Sequence, residues 1–158
     1  MKRILSLILV LALSIGILSG CGVKETTAHT YEDLTISIPT DFIDLTGDDF
    51  AEGLAFVFGL DPIAVNGLRE EKATFEAYGL DLDLQGYGSF ILKANKVSSK
   101  LQQNDGYLSF SYTAGDYTYI VTLWETEDAF WTVQAYCPTA DYAKAEKDMW
   151  KILKSVTV

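Results

Sequence analysis

The chain has 158 residues, with 22 acidic side chains against 12 basic ones, a net charge of −10, and two cysteines. That surplus of carboxylates speaks against a nucleic-acid partner, because phosphate recognition draws on clustered lysine and arginine. Two cysteines are too few for a disulfide framework, and the length fits a single domain with a sizeable core.

Lys2 and Arg3 open the chain and are followed by an apolar run from Ile4 to Leu18. The run is shorter than the ~20 residues of a membrane-spanning helix and has the layout of an export signal. It ends in Leu18-Ser19-Gly20-Cys21, which matches the bacterial lipobox: small residues leave the backbone open to a peptidase, and the Cys21 thiol takes a diacylglyceryl group. Residues 1–20 are therefore expected to be a lipoprotein signal peptide, 21–30 a lipid-anchored tether and 31–158 one globular domain. The expected location is the extracytoplasmic face of the cell membrane, held by the lipid on Cys21. Loss of the signal leaves ten basic against 22 acidic side chains, a net charge of −12. A lipidated Cys21 cannot form a disulfide, so Cys137 is left unpaired, and with no electropositive neighbours it reads as a small core residue.

Gly22 to Thr30 is polar and without apolar periodicity, and fully extended it reaches about 30 Å. The only histidine, His29, lies in it and reads as solvated. Histidine-based zinc sites and catalytic triads then lack their parts.

Leu34 to Ile38 alternates apolar and polar residues with period two, the mark of a strand with one buried face. Leu54–Phe58 and Ile63–Leu68 are expected as strands separated by an Asp61-Pro62 turn. From Leu82 to Asn95, Leu84, Tyr87, Ile91 and Ala94 recur at helical spacing despite Gly86 and Gly88. Gly106 to Cys137 reads as a three-stranded meander, with turns at residues 114–116 and 126–128. Within it Trp131, Val133 and Ala135 oppose Phe130 and Tyr136, while Tyr119, Val121 and Leu123 oppose Ile120 and Trp124. Large apolar groups on both faces imply that both are covered. After Pro138, Thr139 or Asp141 is placed to cap a closing helix to about Lys154. Its apolar stripe is Tyr142, Ala145, Met149, Ile152 and Val156, and Lys144, Lys147, Lys151 and Lys154 face the other way.

The order of these elements, the segment Ala129-Phe130-Trp131-Thr132-Val133-Gln134-Ala135-Tyr136-Cys137-Pro138 and the closing helix together resemble small bacterial lipoproteins with a PsbP-like domain. The resemblance covers nearly all of residues 31–158. It implies an α+β fold in which an antiparallel β-sheet is covered by helices on both faces, an α/β/α sandwich. It also implies a role in binding or assembly, with no functional motif of the family matched residue by residue.

Asp81-Leu82-Asp83-Leu84-Gln85-Gly86 begins like a calcium loop, but Gln85 takes the fifth position and Leu92 the twelfth, where a bidentate glutamate is required. It reads instead as a helix start with acidic residues near the positive end of the dipole. The neighbouring carboxylates Asp48-Asp49, Glu70-Glu71 and Glu127-Asp128 are what composition alone supplies. No phosphate loop, nucleophile elbow or metalloprotease motif is present. No catalytic residue, metal or cofactor is expected, and the leading function is a non-enzymatic module binding a protein or envelope component. A small-ligand receptor and a hydrolase are the alternatives; the first requires a concave pocket and the second an aligned acid–base pair. The charge layout adds one expectation: residues 25–61 hold nine acidic side chains and no lysine or arginine, so an anionic membrane favours the lysine face of the closing helix turned inward.

Overall fold

The computed structural model of the protein describes residues 24–47 and 53–158. Cys21, Asp48 and Asp49 lie outside them. The strands are β1 (Thr26–Tyr31), β2 (Leu34–Pro39), β3 (Ile43–Asp44), β4 (Phe56–Leu60), β5 (Ile63–Glu71), β6 (Gln102–Gln103), β7 (Leu108–Ala114), β8 (Tyr117–Glu125) and β9 (Ala129–Pro138). The helices are α1 (Lys72–Ala77), α2 (Leu84–Ala94) and α3 (Tyr142–Leu153), the last preceded by a 3-10 turn at Thr139–Asp141.

Strands β7, β8 and β9 form the expected meander and belong to a seven-stranded antiparallel sheet ordered β3-β4-β5-β9-β8-β7-β6. The chain leaves this sheet after β5, forms α1 and α2, and re-enters at the far edge as β6. β1 and β2 pair separately as a hairpin. Reciprocal 2.9 Å backbone hydrogen bonds between Thr35 and Thr157 tie that hairpin to the segment after α3.

Because side chains alternate across a strand, β9 serves two cores. Trp131, Val133 and Ala135 join Ile36 of β2 and Met149 and Ile152 of α3 in one cluster. Phe130 joins Phe75 of α1, Tyr87 of α2, and Phe110, Val121 and Leu123 of the meander in the other. Each fully buried side chain of this size contributes roughly 1.5–3 kcal/mol relative to exposure. Gly88 explains why a helix with two glycines forms here: a Cβ at 88 would meet the Leu101 side chain at 2.8 Å and that of Leu123 at 3.1 Å. The close approach of α2 to the sheet requires the missing side chain.

Several boundaries differ from the expectation. Residues 26–30, expected in the tether, lie in β1; its backbone pairs with β2 although its side chains are mostly exposed, so no apolar period marks it. His29 is half-buried rather than solvated, with its ring 4.7 Å from that of Phe58. β4 runs from Phe56 to Leu60 instead of 54–58, since pairing with β5 begins at Phe56 opposite Gly67 and closes at Leu60 opposite Ile63. Neither Thr139 nor Asp141 caps α3 with its side chain. Asp141 already has helical backbone angles, and the Thr139 hydroxyl lies 3.0 Å from that of Thr118. The stripe of α3 is as expected at Ala145, Met149, Ile152 and Val156, and Leu153 is buried with it.

Candidate functional site

The register of the meander sets Tyr112 of β7 opposite Tyr119 of β8, and Tyr119 opposite Tyr136 of β9. Neighbouring strands lie about 4.8 Å apart, close to the stacking distance of aromatic rings. The Tyr112 and Tyr119 rings are accordingly 4.7 Å apart and 7° from parallel, and those of Tyr119 and Tyr136 are 5.1 Å apart at 24°. Tyr117 meets Tyr136 edge-on at 6.1 Å and is 43% exposed, whereas the other three are half-buried. The row continues the cluster formed with α1 and α2 toward solvent.

Stacked rings stand upright on the sheet and cover one another's faces, so solvent meets their edges and hydroxyls. Burial raises the Tyr112 and Tyr136 phenols above their ordinary value, and neighbouring tyrosines add to the shift. Tyr112 and Tyr136 are therefore neutral at physiological pH, and the row presents an apolar body and a hydrogen-bonding rim. Among the described residues, no side chain hydrogen-bonds to these four hydroxyls. A cavity of about 210 Å³ adjoins the row, lined by Leu68, Ile91, Val97, Phe110, Tyr112 and Gln134. It is smaller than the roughly 300–1,000 Å³ of pockets that enclose a small molecule.

The carboxylates singled out in the sequence are dispersed into structural roles. Glu70 and Glu71 point to opposite faces: Glu70 accepts a 2.6 Å hydrogen bond from the Tyr87 hydroxyl, and Glu71 pairs with Arg69. Tyr87 is fully buried and stacked 4.4 Å from Phe130, and its hydroxyl also lies 2.8 Å from that of Thr132. Burial first, then Glu70, pushes its phenol far up, so Tyr87 stays protonated and is no nucleophile. Asp83 accepts from the Gly86 amide at 2.7 Å and caps α2, which occupies a carboxylate oxygen of the calcium-like segment. Glu127 and Asp128 are exposed in the β8–β9 turn, where the Asp128 carbonyl accepts from the Lys72 amide at 2.9 Å. Cys137 is a buried free thiol, its pKa raised by burial and by Asp141. Among the described residues, no three His, Cys, Asp or Glu side chains are grouped to hold a metal ion.

A second polar group anchors the β1–β2 turn. Arg69 Nε lies 3.1 Å from Glu32 and 3.6 Å from Asp33, and the Trp131 indole N–H donates to Asp33 Oδ1 at 2.7 Å. Burial opposes ionisation of Asp33, but bonds from Thr126 and Trp131 and the charge of Arg69 outweigh it and lower the carboxyl pKa. This is a structural clamp between the hairpin and the sheet.

The tyrosine row is the feature sequence reasoning missed. Tyr119 and Tyr136 were expected on a covered face; the available signal was tyrosine, not phenylalanine or valine, at 112, 117, 119 and 136.

No protein-family profile matches the chain, and no curated protein is similar to it. Among solved structures it is similar to the solution structure of cyanobacterial PsbP (CyanoP) from Synechocystis sp. PCC 6803. The TM-score is 0.57 at 12% identity, covering 90% of this chain and 99% of that one. The domain is thus an α+β domain with a large antiparallel sheet and a PsbP-like fold.

Proposed function

We propose that this protein is a lipoprotein anchored through Cys21 on the extracytoplasmic face of the membrane, and that its domain is a non-enzymatic module binding a protein of the cell envelope. The tyrosine row carries this reading. Tyrosine supplies a large apolar area with a polar tip at low conformational cost, and for that reason is enriched at protein interfaces. A glycan would stack on open ring faces, which here are turned against one another. The cavity beside the row, about 210 Å³, is smaller than pockets that enclose a small molecule, which favours a protein partner at this face.

The PsbP-like fold supports a binding role by analogy alone. Two core clusters, one with α3 and the other with α1 and α2, support reading the architecture as an α/β/α sandwich. Among the described residues no helix is long and apolar enough to cross a membrane.

The test compares the full chain with two variants in native envelope. Cys21→Ala should lose all labelling by palmitate. The pair Tyr112→Ser and Tyr119→Ser should keep lipid and fold but lose the partner that wild type retains after cross-linking. Palmitate persisting on Cys21→Ala would refute the anchor, and an undiminished cross-link in the tyrosine variant would refute the surface.

A further inference from the structure

We propose that the carboxy-terminal half of α3, presenting Lys147, Lys151, Lys154 and Trp150, is the face that the domain turns toward an anionic lipid surface. The proposal rests on the lipidation of Cys21 and adds an orientation to it. The described chain starts beside this helix: Lys24 shares a cavity wall with Lys144 and Ala145, and Thr26 shares a groove with Lys151 and Lys154. Since β1 begins at Thr26, the chain before Lys24 that reaches back to Cys21 is three residues long, or about 10 Å fully extended. The nine-residue tether expected from sequence would have allowed about 30 Å. The surface field of an anionic bilayer decays over roughly 8–10 Å at physiological salt, so the shorter reach holds α3 inside it.

Charge is not even along the helix. Asp61, Asp141 and Asp148 line the cavity with Lys144, and Lys24 is paired with Asp41 at 3.1 Å, so that end is neutralised. Lys147, Lys151 and Lys154 are exposed toward the other end, and Glu146, next to Lys147 in sequence, accepts a 2.9 Å hydrogen bond from the Tyr142 hydroxyl. Trp150 is half-buried among them, with Lys154 Nζ 5.4 Å from its ring centre. A tryptophan flanked by lysines suits the headgroup region, where the ring sits at the boundary and the ammonium groups reach anionic oxygens. With net charge −12 outside the signal, the domain as a whole is repelled by such a surface, and of its exposed lysine groups the one on α3 is the one beside which the described chain starts. The tyrosine row lies on the opposite sheet face from α3 and is then turned away from the bilayer.

Trp150 is an intrinsic probe, because Trp131 is fully buried and Trp124 is 7% exposed. The lipidated full chain is placed on vesicles of phosphatidylglycerol and phosphatidylcholine carrying a trace of headgroup nitroxide lipid. Tryptophan emission should be quenched at low salt, recover as ionic strength rises, and stay unquenched on pure phosphatidylcholine. Trp150→Phe should remove the quenched part. The triple variant Lys147→Glu, Lys151→Glu, Lys154→Glu should still float with the vesicles and melt as wild type does, yet lose most of the quenching. Quenching that ignores lipid charge and salt, or that survives the triple change, overturns the orientation while leaving the anchor intact. Failure of the wild type to float with any vesicle overturns both.

Discussion

Gly67 of β5 lies directly across from Phe56 of β4, and a Cβ at 67 would clash with the Phe56 ring. That ring is fully buried, 4.7 Å from Tyr31 and 6.2 Å from Phe58, so it cannot swing aside without disturbing the hairpin contact. Overpacking of this kind costs about 1–3 kcal/mol. Replacing a strand glycine by alanine returns roughly 0.5–1 kcal/mol of backbone entropy. Gly67→Ala should therefore destabilise by about 1–2 kcal/mol, a fall in Tm of about 4 to 8 °C for a domain of this length. In a Phe56→Leu background the ring is gone and the same alanine should be neutral or stabilising. Urea denaturation of the four proteins closes a double-mutant cycle, with an expected coupling of about 1–2 kcal/mol favouring the double variant. Additive effects, or a Gly67→Ala protein as stable as wild type, would refute the contact.

Two further outcomes follow from the core and the clamp. Trp131→Ala removes a fully buried ring and the donor to Asp33, and should cost about 3–5 kcal/mol in denaturant midpoint analysis; a change below about 1 kcal/mol would place Trp131 outside the core. Asp33 has a lowered carboxyl pKa, so its stabilisation is complete above the ordinary aspartate value near about 4 and disappears as pH falls through the folded value. Asp33→Asn should lower Tm at pH 7 and flatten its decline below about pH 4, leaving the part due to Asp44, whose pKa is also lowered. Parallel Tm profiles for wild type and variant would refute the clamp.

The elements legible in the sequence are those whose periodicity reports burial. β2, the meander and α3 each bury alternate or helically spaced apolar side chains, so composition and position coincide. Trp131 was placed in the core on that ground, Cys137 as an unpaired thiol without electropositive neighbours, and both are fully buried. α1 was missed because its six residues contribute one buried side chain, Phe75, which makes no period. β3 and β6 are two residues each and exposed, and exist through backbone pairing with longer neighbours.

The tyrosine row shows the same division at a candidate site. Alternation placed Tyr119 and Tyr136 on one sheet face, but whether that face is covered depends on where the α1–α2 connection crosses it, which is a long-range matter. The register of three strands, not their individual patterns, then brings Tyr112, Tyr119 and Tyr136 into one stack.

By itself the sequence determined the antiparallel meander, its two apolar faces and the amphipathic closing helix, because each follows from side-chain periods of 2 and 3.6 read along the chain. The tertiary structure alone decided that the polar segment from Thr26 is a strand, that Gly67 makes room for Phe56, and that the tyrosines stack half-buried on one sheet face. Those outcomes depend on backbone hydrogen bonds and on contacts between residues far apart in the chain, and neither leaves a period behind.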